Sequence, residues 1–324
     1  IRRLVARPCR HLFAPLPPQF KGRPSVPRAA AFSRHHHAAP FLAAVLGIAL
    51  FSLMDGLMKS ASIAVGAYSA MWVRSVFGVA ITLPLWKLGG GTWPDRDALK
   101  LHALRGAISA GMATTFFWGL VRMPMAEAIA LSFIAPLIAL YLAAVMLGEQ
   151  IERRAITGSL LGFGGVLVIG AARLNVGGFT PDAVWGIAAI LVSAVLYAFN
   201  LIFQRKQAQL AGPQEVALFQ MGFSGLVLTL LAPFLLVLPE LGTTYEIAGS
   251  AALAAVSLML LSWGYGRAEA QALLPIEYTA FIWAALLGWW MFDETVTWAT
   301  VAGVALIVAG CLIAARKPTE QTAL

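Results

Sequence analysis

Asp55, Lys59, Arg74 and Glu277 lie inside long apolar runs of this chain. A charge in such a run is costly to desolvate, so it faces a partner, a cavity or a ligand. Asp55 sits about 9 Å from one end of its run at the ~1.5 Å rise of a helix, and Arg74 lies at similar depth in the next. Lys59 follows Asp55 by four residues, one helical turn, and is within reach of the same carboxylate. The Asp55–Arg74 pair is open to two uses: an ion pair fixing two neighbouring helices, or direct contact with a substrate. Glu277 has no opposite charge at its own depth by this count. It follows Pro275, which frees a backbone carbonyl and suits a broken helix, and it precedes Tyr278. A carboxylate among apolar groups resists ionisation, which suits proton coupling or recognition of a cation. A hydrogen bond to a neighbouring hydroxyl is the plainer alternative.

Polar and aromatic residues at helical spacing extend the candidate set. Tyr197 and Asn200 share one helix face, with Gln204 a turn further. Trp118 and Trp263 are candidate walls of a mid-membrane cavity, whereas Trp86, Trp93, Trp185 and Trp298 read as interfacial belts. Glu127 opens an apolar helix, where a carboxylate complements the helix dipole, and is read as structural. Gly158 and Gly162, echoed by Gly303 and Gly310, allow close helix approach within the chain or across a homodimer. No HExxH, GxSxG or P-loop motif occurs, so no catalytic residue, cofactor or internal ATP motor is expected. Cys9 and Cys311 define neither a disulfide framework nor a metal site, and the run His35, His36, His37 is read as a solvated tail.

Composition sets the class. Hydrophobic residues make up 60% of the chain and charged residues 12%, with a mean hydropathy of +0.79, far outside soluble domains. The net charge of +8 is carried by the first forty residues, which hold eight Arg/Lys and no acid. The remainder is balanced, which leaves no basic surface for a nucleic acid. Residues 1–40 are rich in Pro and Arg and are expected to be a disordered basic tail. Their makeup fits an organellar transit peptide, or translated sequence ahead of the true start. Ten apolar spans follow, at about 41–61, 68–88, 101–120, 125–147, 153–171, 183–203, 214–238, 248–267, 271–292 and 296–315. Each is long enough for a hydrocarbon core of roughly 30 Å, so substrate and membrane lipids are the expected partners. Lys87, Arg96, Lys100, Arg153, Arg154, Arg205, Lys206, Arg267, Arg316 and Lys317 share one side, against Lys59, Arg122 and Arg173 on the other. The positive-inside rule therefore puts both termini in the cytoplasm.

The chain also repeats itself. A constant shift of 145 residues carries Glu149 onto Glu294, Gly158 onto Gly303 and Gly165 onto Gly310. Ala135, Ala139, Leu142 and Met146 meet Ala280, Ala284, Leu287 and Met291; Asp55 meets Asn200 and Lys59 meets Gln204. With five spans in each copy, the halves enter the membrane in opposite senses. The expected fold is an all-α polytopic membrane protein, ten transmembrane helices arranged as two inverted five-helix repeats. The first repeat covers 41–173, the second 183–316, and 317–324 form a cytoplasmic tail. Inverted repeats of this kind place a substrate site near mid-membrane.

The stretches FSLMDGLMKS (51–60), WVRS (72–75), PMAEAIALSFIAPLIALYLAAVMLGE and PIEYTAFIWAALLGWWMFDE resemble the drug/metabolite transporter superfamily, EamA type. The likeness runs from residue 41 to 316, and the PIEY element is similar to a proteobacterial subgroup that includes riboflavin and S-adenosylmethionine carriers. The resemblance implies a bacterial inner-membrane carrier for a small polar or amphipathic metabolite, working by alternating access with proton coupling or exchange. An intramembrane enzyme or a lipid-handling protein is the alternative class. The Arg/Lys asymmetry makes a direct prediction. Reporter fusions after Lys87, Arg154 and Arg316 should read cytoplasmic and those within 173–181 and 239–246 periplasmic; cytoplasmic signal from both of the latter would overturn this topology.

Overall fold

A computed structural model describes residues 38–147, 153–177, 180–207, 210–265 and 276–315. Most of the tail with its run His35, His36, His37, and Cys9, Glu149, Arg267, Pro275 and 317–324, lie outside the described residues. The elements are α1 (Ala38–Leu88), α2 (Arg96–Leu120), α3 (Met125–Ser132), α4 (Ala135–Leu147), α5 (Arg153–Gly177), α6 (Pro181–Gln207), α7 (Pro213–Thr229), α8 (Ala232–Leu235), α9 (Leu241–Tyr265), α10 (Ala280–Phe292) and α11 (Trp298–Ala315). Three helices, Ala39–Leu88, Pro181–Gln204 and Leu241–Leu261, are long and apolar enough to cross a membrane by that criterion alone.

Helix α1 makes two passes. Gly66 breaks it at φ 80° and ψ 150°, a backbone conformation that glycine adopts without steric cost. The arm before Gly66 runs beside α9, with Gly47 against Leu261 and Leu57 against Gly249. The arm after it runs beside α7, with Gly78 against Met221 and Ser75 against Gly225. The connection expected at 62–67 is thus a single residue. Helix α2 falls short of the span criterion because its first turns carry Arg96, Asp97, Lys100, His102 and Arg105.

The expected spans at 125–147 and 214–238 are interrupted. Pro136 has no N–H to offer the Ser132 carbonyl, and α3 ends at Ser132 in tightened turns, with Phe133 N bonded to Ala130 O and Ile134 N to Leu131 O. Pro233 has the same effect after α7, which ends at Thr229. There the Tyr68 hydroxyl donates to the Leu228 carbonyl and the Trp72 indole to Thr229 Oγ1 at 2.9 Å. The chain then turns through α8 and an extended stretch, where Val237 N donates to Ser69 Oγ at 3.0 Å. A further break falls at Tyr278 and Thr279, just before α10.

The core joins both repeats: Met54, Met58, Leu120, Met125, Leu131, Ile169, Ile190, Ile247 and Ile307 are buried together. Large apolar side chains such as Leu160, Phe163, Leu167, Leu226 and Trp290 face outward. A shell of this kind requires lipid rather than water as its solvent.

Helices α5 and α11 cross through glycine. Gly310 lies against the Gly158 carbonyl and the Gly162 amide, and Gly165 against the Gly303 carbonyl. The repeat shift maps one of these contacts onto the other, so the pseudo-twofold axis passes between the two helices. These five glycines are therefore occupied within the chain. A Cβ on Gly165 would lie 2.4 Å from Gly303 O, whereas one on Gly164 meets nothing within 4 Å. Gly165→Ala is expected to destabilise by about 1–3 kcal/mol, and Gly164→Ala to be neutral or to stabilise by up to ~1 kcal/mol through helix propensity. Thermal melts of the two purified variants check this contrast; equal melting temperatures would remove the case for a glycine-dependent crossing.

Candidate functional site

Phe133 and Tyr278 are related by the same shift of 145 residues, and each marks the break in its helix. Their rings meet edge to face at 5.2 Å between centroids. The two discontinuities therefore face each other across the repeat interface. The Cys311 thiol donates to the Phe133 carbonyl at 3.4 Å, taking up an acceptor that the break releases. Different residues cause the two breaks: Pro136 follows the first by three positions, while α10 contains no proline.

Charged and polar groups from three elements gather beside this point. Arg105 on α2 is buried and donates through Nε to Asn200 Oδ1 at 2.8 Å and through Nη1 to Gln207 Oε1. Tyr197 lies three residues before Asn200 on α6, within electrostatic reach of both Arg105 and Glu277. Groups on α2 and on the segment before α10 thus both act on Tyr197. Glu277 is half-buried and also acts on Tyr278. The arrangement brings a guanidinium, a carboxylate, a phenol and an amide together where the repeats meet. Such a set can hold a molecule with separated anionic and cationic groups.

One end of the bundle is closed by an ion pair. The buried Lys59 ammonium pairs with Glu294, donates to Met123 O at 2.9 Å and lies 4.9 Å above the Phe292 ring. Glu294 Oε2 accepts from Met125 N at 2.7 Å and so caps the start of α3. Asp293 makes this possible by taking a left-handed conformation, φ 53°, which turns the chain back so that Glu294 N reaches Gly288 O at 3.1 Å. A non-glycine residue held there stores local strain of order 1 kcal/mol. The pairing differs from the sequence expectation that Lys59 serves Asp55. Helical spacing brings the two within range, but the turn after α10 supplies a carboxylate placed to accept the ammonium. Beside it, Arg122 stacks over Trp118 at 3.4 Å, donates to Trp118 O at 2.8 Å and lies 3.8 Å from Asp182.

Asp55 and Arg74 are both buried and interact electrostatically. No ion pair within 4.0 Å joins them among the described residues, so the direct salt bridge open to them from sequence is absent in this conformation. Arg74 Nη1 points to Met71 Sδ at 3.6 Å, and its Nε finds no hydrogen-bond partner among the described atoms. Trp118 is taken up by Arg122 at the closed end rather than lining the central space. Trp263 sits at the opposite end, in a cleft shared with Trp86, Gln214 and Glu215. Gln204 is exposed. Buried Glu127 accepts from Thr300 Oγ1 at 3.4 Å, which ties α3 to α11.

Sequence reasoning missed Arg105 and His102. Both lie in the apolar run 101–120, and the rule that drew attention to Asp55 applies to them equally. Glu294 was noticed only as a mark of the repeat. Its role as the partner of Lys59, 235 residues away, depends on how the repeats pack.

An all-helical fold with apolar helices and with helix breaks facing each other across an internal duplication defines a polytopic membrane protein. The chain belongs to the EamA-like transporter family, whose model matches twice, at residues 39–171 and 184–316. It is 26% identical over 279 residues to the pseudopaline exporter of Pseudomonas aeruginosa, covering 85% of this chain and 95% of that protein. It is 24% identical over 279 residues to the S-adenosylmethionine uptake transporter of Rickettsia prowazekii, covering 83% and 89%. A solved crystal structure superposes with a TM-score of 0.59 at 23% identity, covering 86% of this chain and 96% of that one, and supports the fold.

The Lys59–Glu294 pair carries a stability prediction. Removing one partner strands a buried charge and is expected to cost about 3–5 kcal/mol, whereas removing both costs less than the sum. Melting temperatures of Lys59→Met, Glu294→Gln and the double variant should give a coupling of about 1–3 kcal/mol. Additive losses would mean that the two side chains act independently.

Proposed function

We propose that this protein is a secondary transporter that carries a small polar or amphipathic metabolite across the membrane by alternating access between its two repeats. The observation that supports it most is the meeting of Phe133 and Tyr278 at repeat-related helix breaks, with Arg105, Asn200, Tyr197 and Glu277 gathered beside them. Broken helices at a repeat interface expose backbone and side-chain polar groups to a cargo without exposing them to lipid. In this reading Arg105 recognises an anionic group, and Glu277 binds a cationic group or a proton during the cycle. The Lys59–Glu294 pair closes one end in this conformation and opens when the repeats rock. A ligand drives that change only if it binds the two states with different affinity. The transport directions named for the two relatives, export and uptake, support a common carrier plan without assigning a direction to this chain.

Purified protein in vesicles tests the reading with labelled amino-acid-derived metabolites, S-adenosylmethionine among them. Saturable, gradient-dependent accumulation of unchanged compound is expected, whereas chemical turnover would favour the intramembrane-enzyme alternative. Glu277→Gln keeps the shape of the side chain and removes its titration. If the carboxylate couples protons, this variant retains exchange and loses accumulation driven by a pH gradient; if it holds a cation, affinity falls instead. Unchanged flux and pH dependence in folded Glu277→Gln would reduce the residue to a structural hydrogen-bonding role.

A further inference from the structure

At the end of the bundle opposite Lys59, four side chains form a hydrogen-bonded chain that leads to Arg105. Gln207 Oε1 accepts from Arg105 Nη1, Gln207 Nε2 contacts His102 Nδ1, and His102 Nε2 lies 3.1 Å from Glu215 Oε1. The direction of every bond follows from the first. A guanidinium has no acceptor, so Gln207 must present its oxygen to Arg105 and its amide N–H to His102. His102 Nδ1 is therefore an acceptor, and the imidazole is neutral, with its single proton on Nε2 donated to Glu215. His102, Arg105 and Gln207 are buried. His102 is further held by ring stacking on Phe219 at 5.0 Å. Glu215 is partly exposed and lines a cleft of about 550 Å³ with Trp86, Gly90, Gln214 and Trp263, which gives protons a route from water to the imidazole.

We propose that His102 is a proton-operated latch that decides whether Arg105 is held by Gln207 or released toward the central space. A proton added at Nδ1 sets two donors, Nδ1–H and the Gln207 amide, against each other. Rotating the Gln207 amide restores that contact but turns its N–H groups toward Arg105, which also only donates. One bond of the chain is therefore lost in either arrangement. In the rotated arrangement Arg105 keeps Asn200 and gains a free Nη1 for an anionic group of the cargo. The same loss loosens α2 from α6, while the contact of His102 Nε2 with Glu215 that ties α2 to α7 is kept. Among the described side chains, the charged groups facing His102 are Glu215 on α7 and, through Gln207, Arg105 on α2 itself. From α1 comes the neutral Trp86, edge-on to Phe219 at 5.9 Å. Asp97 and Lys100 on α2 pair with each other in solvent at 3.5 Å.

The inference rests on reading the central space as the cargo site, but its test needs no cargo. The full chain with ¹⁵N-labelled imidazoles is compared with His102→Gln, so the difference spectrum reports His102. Nitrogen spectra should show His102 protonated on Nε2 alone at about pH 8 and on both nitrogens as the pH is lowered, the change of charge open to an imidazole. Spin labels at Lys100→Cys on α2 and Gln204→Cys on α6, in a background without Cys9 and Cys311, should move apart over the same interval. Gln at position 102 accepts from Gln207 and donates to Glu215 without titrating, so His102→Gln should abolish the movement. Gln207→Glu should reverse it, because a carboxylate there accepts from Arg105 and from a protonated His102 together. An Nδ1–H tautomer or a doubly protonated ring at about pH 8 would overturn the latch. So would an opening that persists in His102→Gln, or a Gln207→Glu response of unchanged sign. Absence of flux in vesicles with these signals intact would count against the transport reading alone.

Discussion

A hydrocarbon surrounding offers no hydrogen bonds, so each backbone group freed by a broken helix must find its partner inside the protein. The rest of this structure depends on that constraint. The break at Phe133 is tolerated because Cys311 on α11 reaches its carbonyl. The break after α7 is tolerated because Tyr68 and Trp72 on α1 reach Leu228 O and Thr229 Oγ1. The start of α3 is tolerated because Glu294 accepts from Met125 N. These partners come from distant parts of the chain, so every break is also a tie between helices that must pack first.

Charge placement follows the same logic at higher cost per group. A buried ion pair contributes little net stability against a well-packed apolar alternative, but losing one partner is severe. Such pairs therefore work better as two-state contacts than as glue. Lys59 and Glu294 join the first repeat to the turn after α10, and the strained Asp293 holds the carboxylate there. Opposite, the chain from Glu215 to Arg105 joins α7, α2 and α6 through bonds whose direction is forced by the guanidinium. One end is tied by opposite charges and the other by a directional hydrogen-bonded chain, so the two halves, related in sequence, are unlike in electrostatics. The sequence carries the same asymmetry, since Gln204 stands where the repeat shift would place a second Lys59.

The glycine crossing of α5 and α11 supplies what the polar contacts cannot. Its contacts, Gly310 on Gly158 and Gly165 on Gly303, map onto each other under the duplication, and there is no room for a Cβ at Gly165 or Gly310. Close backbone approach over a shared axis joins the two repeats at one crossing. Such a crossing gains from small residues because van der Waals packing, rather than the hydrophobic effect, draws helices together in lipid.

Composition, apolar periodicity and the shift of 145 residues were enough to determine an all-helical membrane fold of two related halves, because lipid solvent and helix geometry act on every span separately. The family followed from the same stretches. Individual charges were legible as unusual for the same local reason, and Arg105 and His102 were open to that reasoning although it passed over them. Their partners were not legible. Lys59 has Asp55 one turn away but pairs with Glu294, and Asn200 is engaged by Arg105 from another helix. Gly66 alone, not a loop, turns α1 back on itself. Which carboxylate meets which cation depends on the crossing of helices far apart in sequence and on a single left-handed residue at Asp293, and that geometry exists only once the two halves have packed.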